Sequence, residues 1–237
     1  MEILATIVAQ AQEKAESGAY RSYLKTKEFG YRKIAQNFSG GNVLELGSDE
    51  SPTSSVLVRW SERLTIVDMV DKSSLKLLQD TALSSVNFVL SRWEDFSTDE
   101  KFSDIVLTDS LEHVDDPVQT LSLCGKWLAQ GGHLHIIVPN ALSLHRLIGV
   151  EMGFLETPYH FNQNDVGSGH RRVYDTTLIR HDISAARLAI SRMEPIQCKP
   201  FTDTQSQQFS IPYIEALDKI ARFFPDNGAE IYVCCTL

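Results

Sequence analysis

The chain has 237 residues, is 43% hydrophobic and carries a formal net charge of −9. This length is enough for one sizeable core and slightly short for two, so we expect a single domain over residues 1–237. The negative charge argues against a nucleic-acid groove and against binding to an anionic membrane, because both need a basic surface. No stretch approaches the roughly 20 apolar residues of a membrane span. Because the chain is acidic, we expect a small polar or metabolite-sized partner instead. Cysteines without CxxC spacing favour reduced thiols, and hence a cytoplasmic protein.

Apolar runs alternate with helical patterns along most of the chain, which is typical of a βαβ fold. Residues 2–16 and 20–38 are predicted to be helical. Parallel strands, covered on both faces, are predicted at 43–46, 64–68, 86–90, 104–109 and 133–139. A helix begins after Asp116-Pro117 and is expected to end at Gln130-Gly131-Gly132. These elements predict a doubly wound, mostly parallel α/β sheet.

The chain is less regular after the fifth predicted strand. Residues 140–174 follow neither a helical nor a strand period well. Helix returns at Asp175, followed by an extended stretch near 195–201, a helix around 212–223 and the final run EIYVCCTL. Two terminal strands joined through a helix suit an antiparallel addition at the edge of the sheet.

The first predicted strand ends in the loop Gly47-Ser48-Asp49-Glu50-Ser51. Ligands of open α/β sheets bind beyond the carboxyl ends of the strands. A dinucleotide would place its pyrophosphate on a GxGxxG loop, but here two carboxylates would repel it and the later glycines are missing. A ligand with a sulfonium, an ammonium and no phosphate meets no such obstacle, and S-adenosylmethionine is such a ligand.

Five motifs follow one another in a characteristic order: VLELGS, TIVDM, SRWEDF, FSDIVLTDSLEHVDDP and LAQGGHLHIIVPN. Over roughly residues 20–140 they resemble the class I S-adenosylmethionine-dependent methyltransferases, in particular the bacterial group that acts on small molecules. The resemblance implies a Rossmann-like, seven-stranded sheet with an antiparallel C-terminal strand. It also implies four segments, which are N-terminal lid helices at 1–40, a cofactor-binding core at 41–139, a substrate-covering insertion at 140–174, and a C-terminal helix and antiparallel strand pair at 175–237. Family members usually carry further glycines where this chain has Asp49 and Ser51.

The resemblance assigns cofactor contacts to residues at the predicted strand ends. Glu45 would hold the methionine ammonium, and Gly47 would let the backbone approach the cofactor closely. Asp68 would accept both ribose hydroxyl protons, and Met69 would cover one face of the adenine. Glu94 competes with Asp95 for the adenine amine. The other predicted cofactor residues are Ser48, Trp93, Asp109, Ser110 and Leu111.

Histidines and arginines near the fourth strand and in the insertion are candidates for the acceptor side. His113 titrates near neutrality and follows the fourth strand, although it could instead cap or pack the next helix. The turn at 167–169 delivers GHRRVYD, either to a polar or anionic substrate or as a solvated charged turn. We predict His113 and His170 as catalytic residues and no metal site, since no metal-ligand spacing occurs. The predicted substrate contacts are Tyr23, His145, Arg146, His160, Arg171 and Tyr174.

The predicted reaction is an in-line methyl transfer from the sulfonium to an oxygen or nitrogen of a small metabolite, with S-adenosylhomocysteine as product. Alignment of donor and acceptor and exclusion of water are the main tasks of the protein. Two alternatives remain open. One is a non-catalytic binding protein that kept the fold. The other is an NAD-dependent oxidoreductase, which Asp49, Glu50 and the lack of a plausible hydride-site Tyr-x-x-x-Lys disfavour.

Overall fold

A computed structural model describes residues 18–48, 52–70 and 81–237. The helix predicted over 2–16 and the loop residues Asp49 and Glu50 lie outside this part. The described α-helices are α1 (Gly18–Ile34), α2 (Thr53–Trp60), α3 (Pro117–Trp127), α4 (Leu144–Glu151), α5 (Gln163–Gly167), α6 (Thr176–Ala185), α7 (Asp203–Ser206) and α8 (Ile211–Ile220). Short 3₁₀ helices span Thr81–Ser85, Trp93–Asp95 and Ala221–Phe223. The strands are β1 (Asn42–Leu46), β2 (Arg63–Asp68), β3 (Asn87–Leu90), β4 (Phe102–Thr108), β5 (Leu128–Pro139), β6 (Ala189–Ile196) and β7 (Glu230–Thr236).

The strands form one seven-stranded sheet in the order β3-β2-β1-β4-β5-β7-β6. The first five strands pair in parallel, and β7 is antiparallel to both β5 and β6. The predicted fold class, a doubly wound sheet with an antiparallel C-terminal strand, is confirmed. The strand order reverses between β1 and β4, so the carboxyl ends of these strands open the crevice in which such sheets bind ligands.

Helices cover both faces of the sheet because the central strands are apolar on both sides. On one face, side chains of α3 and α6, among them Leu121 and Ile179, pack against Leu44 and Leu107. On the other face, α1, α2 and α8 pack on side chains that include Val43, Val106 and Ile137. The two cores hold the strand ends in fixed register, which positions the residues that follow them.

Two predicted boundaries were wrong. Helix α3 ends at Trp127 and β5 begins at once, so Gly131 and Gly132 lie inside a strand and do not end the helix. A Cβ on Gly132 would lie 2.9 Å from the Ser103 carbonyl oxygen, at a register shift between Phe102 and Asp104, so glycine serves a bulge there. The extended stretch expected at 195–201 is β6 at 189–196. Its partly exposed charged residues, Arg192 and Glu194, interrupt the apolar pattern by which a strand is recognised.

Residues 140–174 contain the short helices α4 and α5, where the sequence indicated no regular period. Asp175 caps α6 as predicted, accepting a hydrogen bond from the Leu178 N–H at 2.6 Å. All four cysteines are buried free thiols. Among the described helices, none is long and apolar enough to cross a membrane.

Candidate active site

The carboxylate of Asp68 lies at the end of β2, beside the loop that follows β1. Its Oδ2 accepts hydrogen bonds from the Ser48 backbone N–H at 2.6 Å and from the Ser48 hydroxyl at 2.8 Å. Its Oδ1 accepts from the Val70 N–H at 2.9 Å. A carboxylate offers about four lone-pair sites, so acceptor capacity remains beyond these three donors. Asp68 and Ser48, both predicted cofactor residues, are therefore in direct contact.

Gly47 occupies a position that only glycine fits. Its φ is +81°, and a Cβ there would lie 2.7 Å from Ser110 Oγ and 2.9 Å from Trp93 Cζ2. The Ser110 hydroxyl donates to the Leu46 carbonyl at 2.9 Å, and the Trp93 indole N–H donates to the Val67 carbonyl at 3.1 Å. Three predicted cofactor residues, Gly47, Trp93 and Ser110, thus meet at the reversal of strand order.

Apolar side chains next to Asp68 face solvent. Met69 is 66% exposed, and Leu90, which pairs with Asp68 in the sheet, is 60% exposed. Exposed large apolar side chains beside a buried carboxylate suit a flat ligand such as a purine. Glu94 lies on the 3₁₀ helix nearby, with Arg92 Nε 3.5 Å from its Oε2. Glu45, on β1, is buried.

A buried lysine that the sequence analysis did not select connects three elements at the end of β4. Lys27 of α1 forms an ion pair with Asp109 and lies 2.7 Å from Glu230 of β7. Burial lowers the pKa of Lys27, but Asp109 and Glu230 outweigh it and hold the pKa well above its ordinary value. Lys27 also lies 5.1 Å from the ring centre of Tyr23. Its place between Leu24 and Tyr31, on the buried stripe of an amphipathic helix, was the available signal.

Asp109 and Glu112 bring two carboxyl groups to the same strand end. Asp109 has a φ of 48°, which is unusual for a residue with a side chain. Burial raises its pKa despite the opposing effect of Lys27. Burial, followed by the charge of Asp109, raises the pKa of Glu112 well above its ordinary value. Leu111, the remaining predicted cofactor residue on this loop, is buried in the core.

The two predicted catalytic histidines lie together. The rings of His113 and His170 are 4.8 Å apart and meet edge to face. His170 Nε2 lies 4.0 Å from Glu112 Oε1, and His170 Nδ1 lies 3.1 Å from Asp165 Oδ1. The loop after β4 and the end of the insertion therefore form one cluster, and neither Glu112 nor Asp165 was predicted as part of it.

The arginines of the insertion are engaged within the protein. Arg146 Nε donates to the Pro158 carbonyl at 2.8 Å, its NH1 donates to Asp165 at 3.0 Å, and its NH2 donates to the His160 carbonyl. Arg171 Nε donates to the His113 carbonyl at 3.0 Å, and its NH1 lies 2.8 Å from Asp115. These contacts indicate that the two arginines fix the insertion to itself and to the loop after β4, and their substrate contact stays a prediction.

The other predicted substrate residues differ in burial and in their contacts. Tyr174 is buried, and its hydroxyl donates to Asp182 at 3.0 Å, which indicates a structural role. Burial and the charge of Lys199 lower the pKa of His145 to about 4. His160 is exposed on the insertion. Tyr23, another predicted substrate residue, lies beside Lys27, whose ammonium group pairs with Asp109 and Glu230 at the end of β4.

A family profile described as "Methyltransferase domain" matches residues 19–189, which is more than half of the chain. The chain belongs to this methyltransferase family. The sequence prediction of a class I methyltransferase is therefore confirmed. No curated protein matches the methyltransferase at a significant level.

Solved structures share the fold of this methyltransferase at low sequence identity. The N-methyltransferase NodS from Bradyrhizobium japonicum WM9, in complex with S-adenosylhomocysteine, is 15% identical, with 87% of this chain and 86% of that chain covered and a TM-score of 0.53. The 1,6-didemethyltoxoflavin-N1-methyltransferase from Burkholderia thailandensis, with bound 1,6-didemethyltoxoflavin and S-adenosylhomocysteine, is 13% identical, with 89% of this chain and 76% of that chain covered and a TM-score of 0.58. An S-adenosylmethionine-dependent methyltransferase from Mesorhizobium loti is 10% identical, with 87% and 97% covered and a TM-score of 0.61.

Proposed function

We propose that the protein transfers a methyl group from S-adenosylmethionine to an oxygen or nitrogen of a small polar molecule. The observation that carries this proposal is the meeting of Gly47, Asp68 and Ser110 at the reversal of strand order, in a chain of the methyltransferase family. Two of the solved structures of this fold contain S-adenosylhomocysteine, the product expected of such a donor.

The residues present fit this cofactor. Three donors within the protein already bind Asp68, and it retains acceptor capacity for about one further donor, which a ribose hydroxyl would supply. Met69 and Leu90 offer exposed apolar surface to the adenine, and the tight turn at Gly47 leaves the backbone close to the ligand. Glu45, buried at the end of β1, is the proposed partner of the methionine ammonium. S-adenosylmethionine supplies an activated methyl group, so the protein mainly has to bind, orient and exclude water.

The acceptor is proposed to bind at the end of β4, between Asp109 and the His113–His170 pair. Arg171 holds the insertion against this loop through the His113 carbonyl, which supports the predicted role of residues 140–174 in covering the acceptor. The buried carboxyl groups of Glu112 and Glu230 and the partly buried one of Asp109 share this region with one buried lysine, Lys27. The excess of carboxyl groups, together with the engaged arginines, supports a polar acceptor without negative charge, which is one of the two kinds, polar or anionic, expected from the sequence.

Calorimetric titration with S-adenosylhomocysteine, with NAD in parallel, tests the donor half of this proposal. We expect micromolar binding of S-adenosylhomocysteine and no binding of NAD. Asp68→Asn removes charge from the ribose contact and should weaken binding by about tenfold or more. Asp99→Asn, at an exposed aspartate, is the matched control and should bind as wild type does.

Three outcomes would contradict the proposal. Binding of NAD in place of S-adenosylhomocysteine would favour an oxidoreductase. Binding of neither ligand would remove the donor site. Binding of S-adenosylhomocysteine without methyl transfer to any of a broad panel of neutral phenols, alcohols and amines would favour a binding protein that kept the fold.

A further inference from the structure

Three potential metal ligands converge beside the proposed acceptor site. Glu112, His113 and His170 each present one ligand atom, and these atoms lie within 4.8 Å of one another. Glu112 and His113 are neighbours in the loop after β4, whereas His170 comes from the end of the insertion. Because the ligands come from distant segments, no spacing in the sequence could indicate them.

The carboxylate of Glu112 accepts no hydrogen bond from any residue that the structure describes. Its side chain is 1% exposed, and neither carboxylate oxygen has a hydrogen-bond partner among the described residues. A buried carboxylate without a partner is costly. Lys27, the buried cation of this region, already contacts Asp109 and Glu230. The cluster therefore lacks a positive charge at Glu112.

His170 is oriented as a metal ligand would be. Its Nδ1 lies 3.1 Å from Asp165, which leaves Nε2 on the side of Glu112, 4.0 Å from its Oε1. Asp165 is itself held by the Arg146 guanidinium at 3.0 Å and by the Asn162 N–H at 2.9 Å. A carboxylate beside the far nitrogen of an imidazole is a common support of a metal-binding histidine, and Asp165 lies in that position.

We propose that Glu112, His113 and His170 bind a divalent transition-metal ion, for which Zn²⁺ matches the donor set best. Two imidazoles and one carboxylate are a known set of protein ligands for zinc with one position open. Bonds of about 2.0–2.2 Å to zinc place tetrahedral ligand atoms about 3.3 Å apart. The three ligand atoms lie within 4.8 Å of one another, so each pair would have to approach by about 1.5 Å or less.

The open position would face the end of β4. There the metal would hold the oxygen or nitrogen of the acceptor and favour loss of its proton. This role rests on the proposed function, whereas binding of the metal does not.

Zinc titration of chelator-treated, full-length protein tests the site directly. We expect one equivalent of Zn²⁺ to bind, measured by calorimetry and by competition with a chromogenic chelator. Co²⁺ in place of Zn²⁺ should give the visible absorption of a four- or five-coordinate ion. Glu112→Gln and His170→Ala should each weaken binding by about 10- to 100-fold or abolish it. His181→Ala, at an imidazole that is 77% exposed, is the matched control and should leave binding unchanged.

The proposal is overturned if wild type binds no zinc, or if Glu112→Gln binds as wild type does. Equal loss in His181→Ala would equally refute the assignment. Glu112→Gln keeps the shape of the side chain, so circular dichroism should show a folded protein, and it decides the matter if His170→Ala does not fold. Titration of the metal-free protein with S-adenosylhomocysteine separates the two proposals, because donor binding without zinc binding removes the metal site alone.

Discussion

Asp104 of β4 and His135 of β5 form a buried pair, away from the carboxyl ends of the strands where the candidate site lies. His135 Nε2 lies 3.1 Å from Asp104, and its Nδ1 lies 3.0 Å from the Tyr232 hydroxyl. Asp104 also accepts from the N–H groups of Ser39 and Gly40. Burial lowers the pKa of His135, but the hydrogen bonds and charges of Asp104 and Cys234 together outweigh burial, so the pKa is raised above its ordinary value of 6.5.

This pair should make stability depend on pH. Because the folded pKa of His135 lies above its unfolded value, the imidazolium contributes fully below pH 6.5, and the contribution is lost as pH rises through the raised pKa. The difference in the free energy of unfolding between wild type and His135→Gln should therefore shrink towards alkaline pH. Urea unfolding from about pH 6 to pH 9 measures it, with His181→Gln as an exposed control. A constant difference would contradict the prediction.

Alanine substitutions at two glycines with positive φ distinguish an effect on backbone strain from an effect on ligand binding. Gly47 has a φ of +81° with Ser110 Oγ 2.7 Å from an added Cβ, whereas Gly131 has a φ of +75° and nothing within 4 Å. Both Gly→Ala changes should cost about 1 kcal/mol or more of stability. Only Gly47→Ala should also weaken binding of S-adenosylhomocysteine, by about tenfold or more. Equal affinity of the two variants in calorimetry would argue against a close approach of the cofactor at Gly47.

At the scale of elements, Arg146 is the centre of the insertion. It reaches the carbonyls of Pro158 and His160 and the carboxylate of Asp165. Removing one partner of a buried ion pair costs about 3–5 kcal/mol, so Arg146→Met should loosen residues 156–167. Amide hydrogen exchange should become faster there and stay unchanged in β1 and β4. The exposed Arg180→Met is the control. If amide hydrogen exchange is unchanged and the KM for an acceptor is raised, the result would instead favour the predicted contact of Arg146 with the substrate.

Helix α1 is attached to the sheet through Lys27. Lys27→Met leaves Asp109 and Glu230 without their shared cation and should lower the free energy of unfolding by about 3 kcal/mol or more. Lys33→Met, one helix turn and a half away, removes a partly exposed pair with Glu194 at 2.7 Å and should cost about 1 kcal/mol or less. Denaturant unfolding compares the two variants. Equal losses would show that Lys27 is no more important to the docking of α1 than a surface lysine.

The sequence predicted the elements whose patterns are local. Continuous apolar runs indicated β1 to β5, and Asp116 before a proline indicated the start of α3. In the structure, Asp116 caps this helix by accepting a hydrogen bond from the Gln119 N–H at 2.9 Å. Gly47 and Asp68 were predicted because each ends a recognisable strand. In contrast, β6 was misplaced because an edge strand alternates weakly and carries charges.

Contacts between distant segments were not predictable in the same way. Glu112, Asp165 and His170 come together only through the fold, and a single sequence carries no record of that contact. The contacts of the arginines in the insertion were also not predictable from the sequence. Their charge is visible in the sequence, but the carbonyls and carboxylates that engage them are not.

For the whole molecule, binding of the donor product should raise thermal stability. A ligand that binds only the folded state at about 100 times its Kd adds about 2.7 kcal/mol. For a chain of this size that corresponds to a rise in Tm of roughly 5–10 °C. Scanning calorimetry with S-adenosylhomocysteine should show the rise, and NAD should give none. The same rise in Asp68→Asn would contradict the proposed ribose contact.

The order of strands also bears on how the chain is made. A ribosome delivers β6 before β7, yet β7 lies between β5 and β6 in the sheet. The nascent β6 therefore has no native neighbour to pair with, and the edge of β5 stays open, until residues 230–236 have emerged. A ribosome that stalls before that point presents an unpaired, apolar strand edge to other nascent chains and to chaperones.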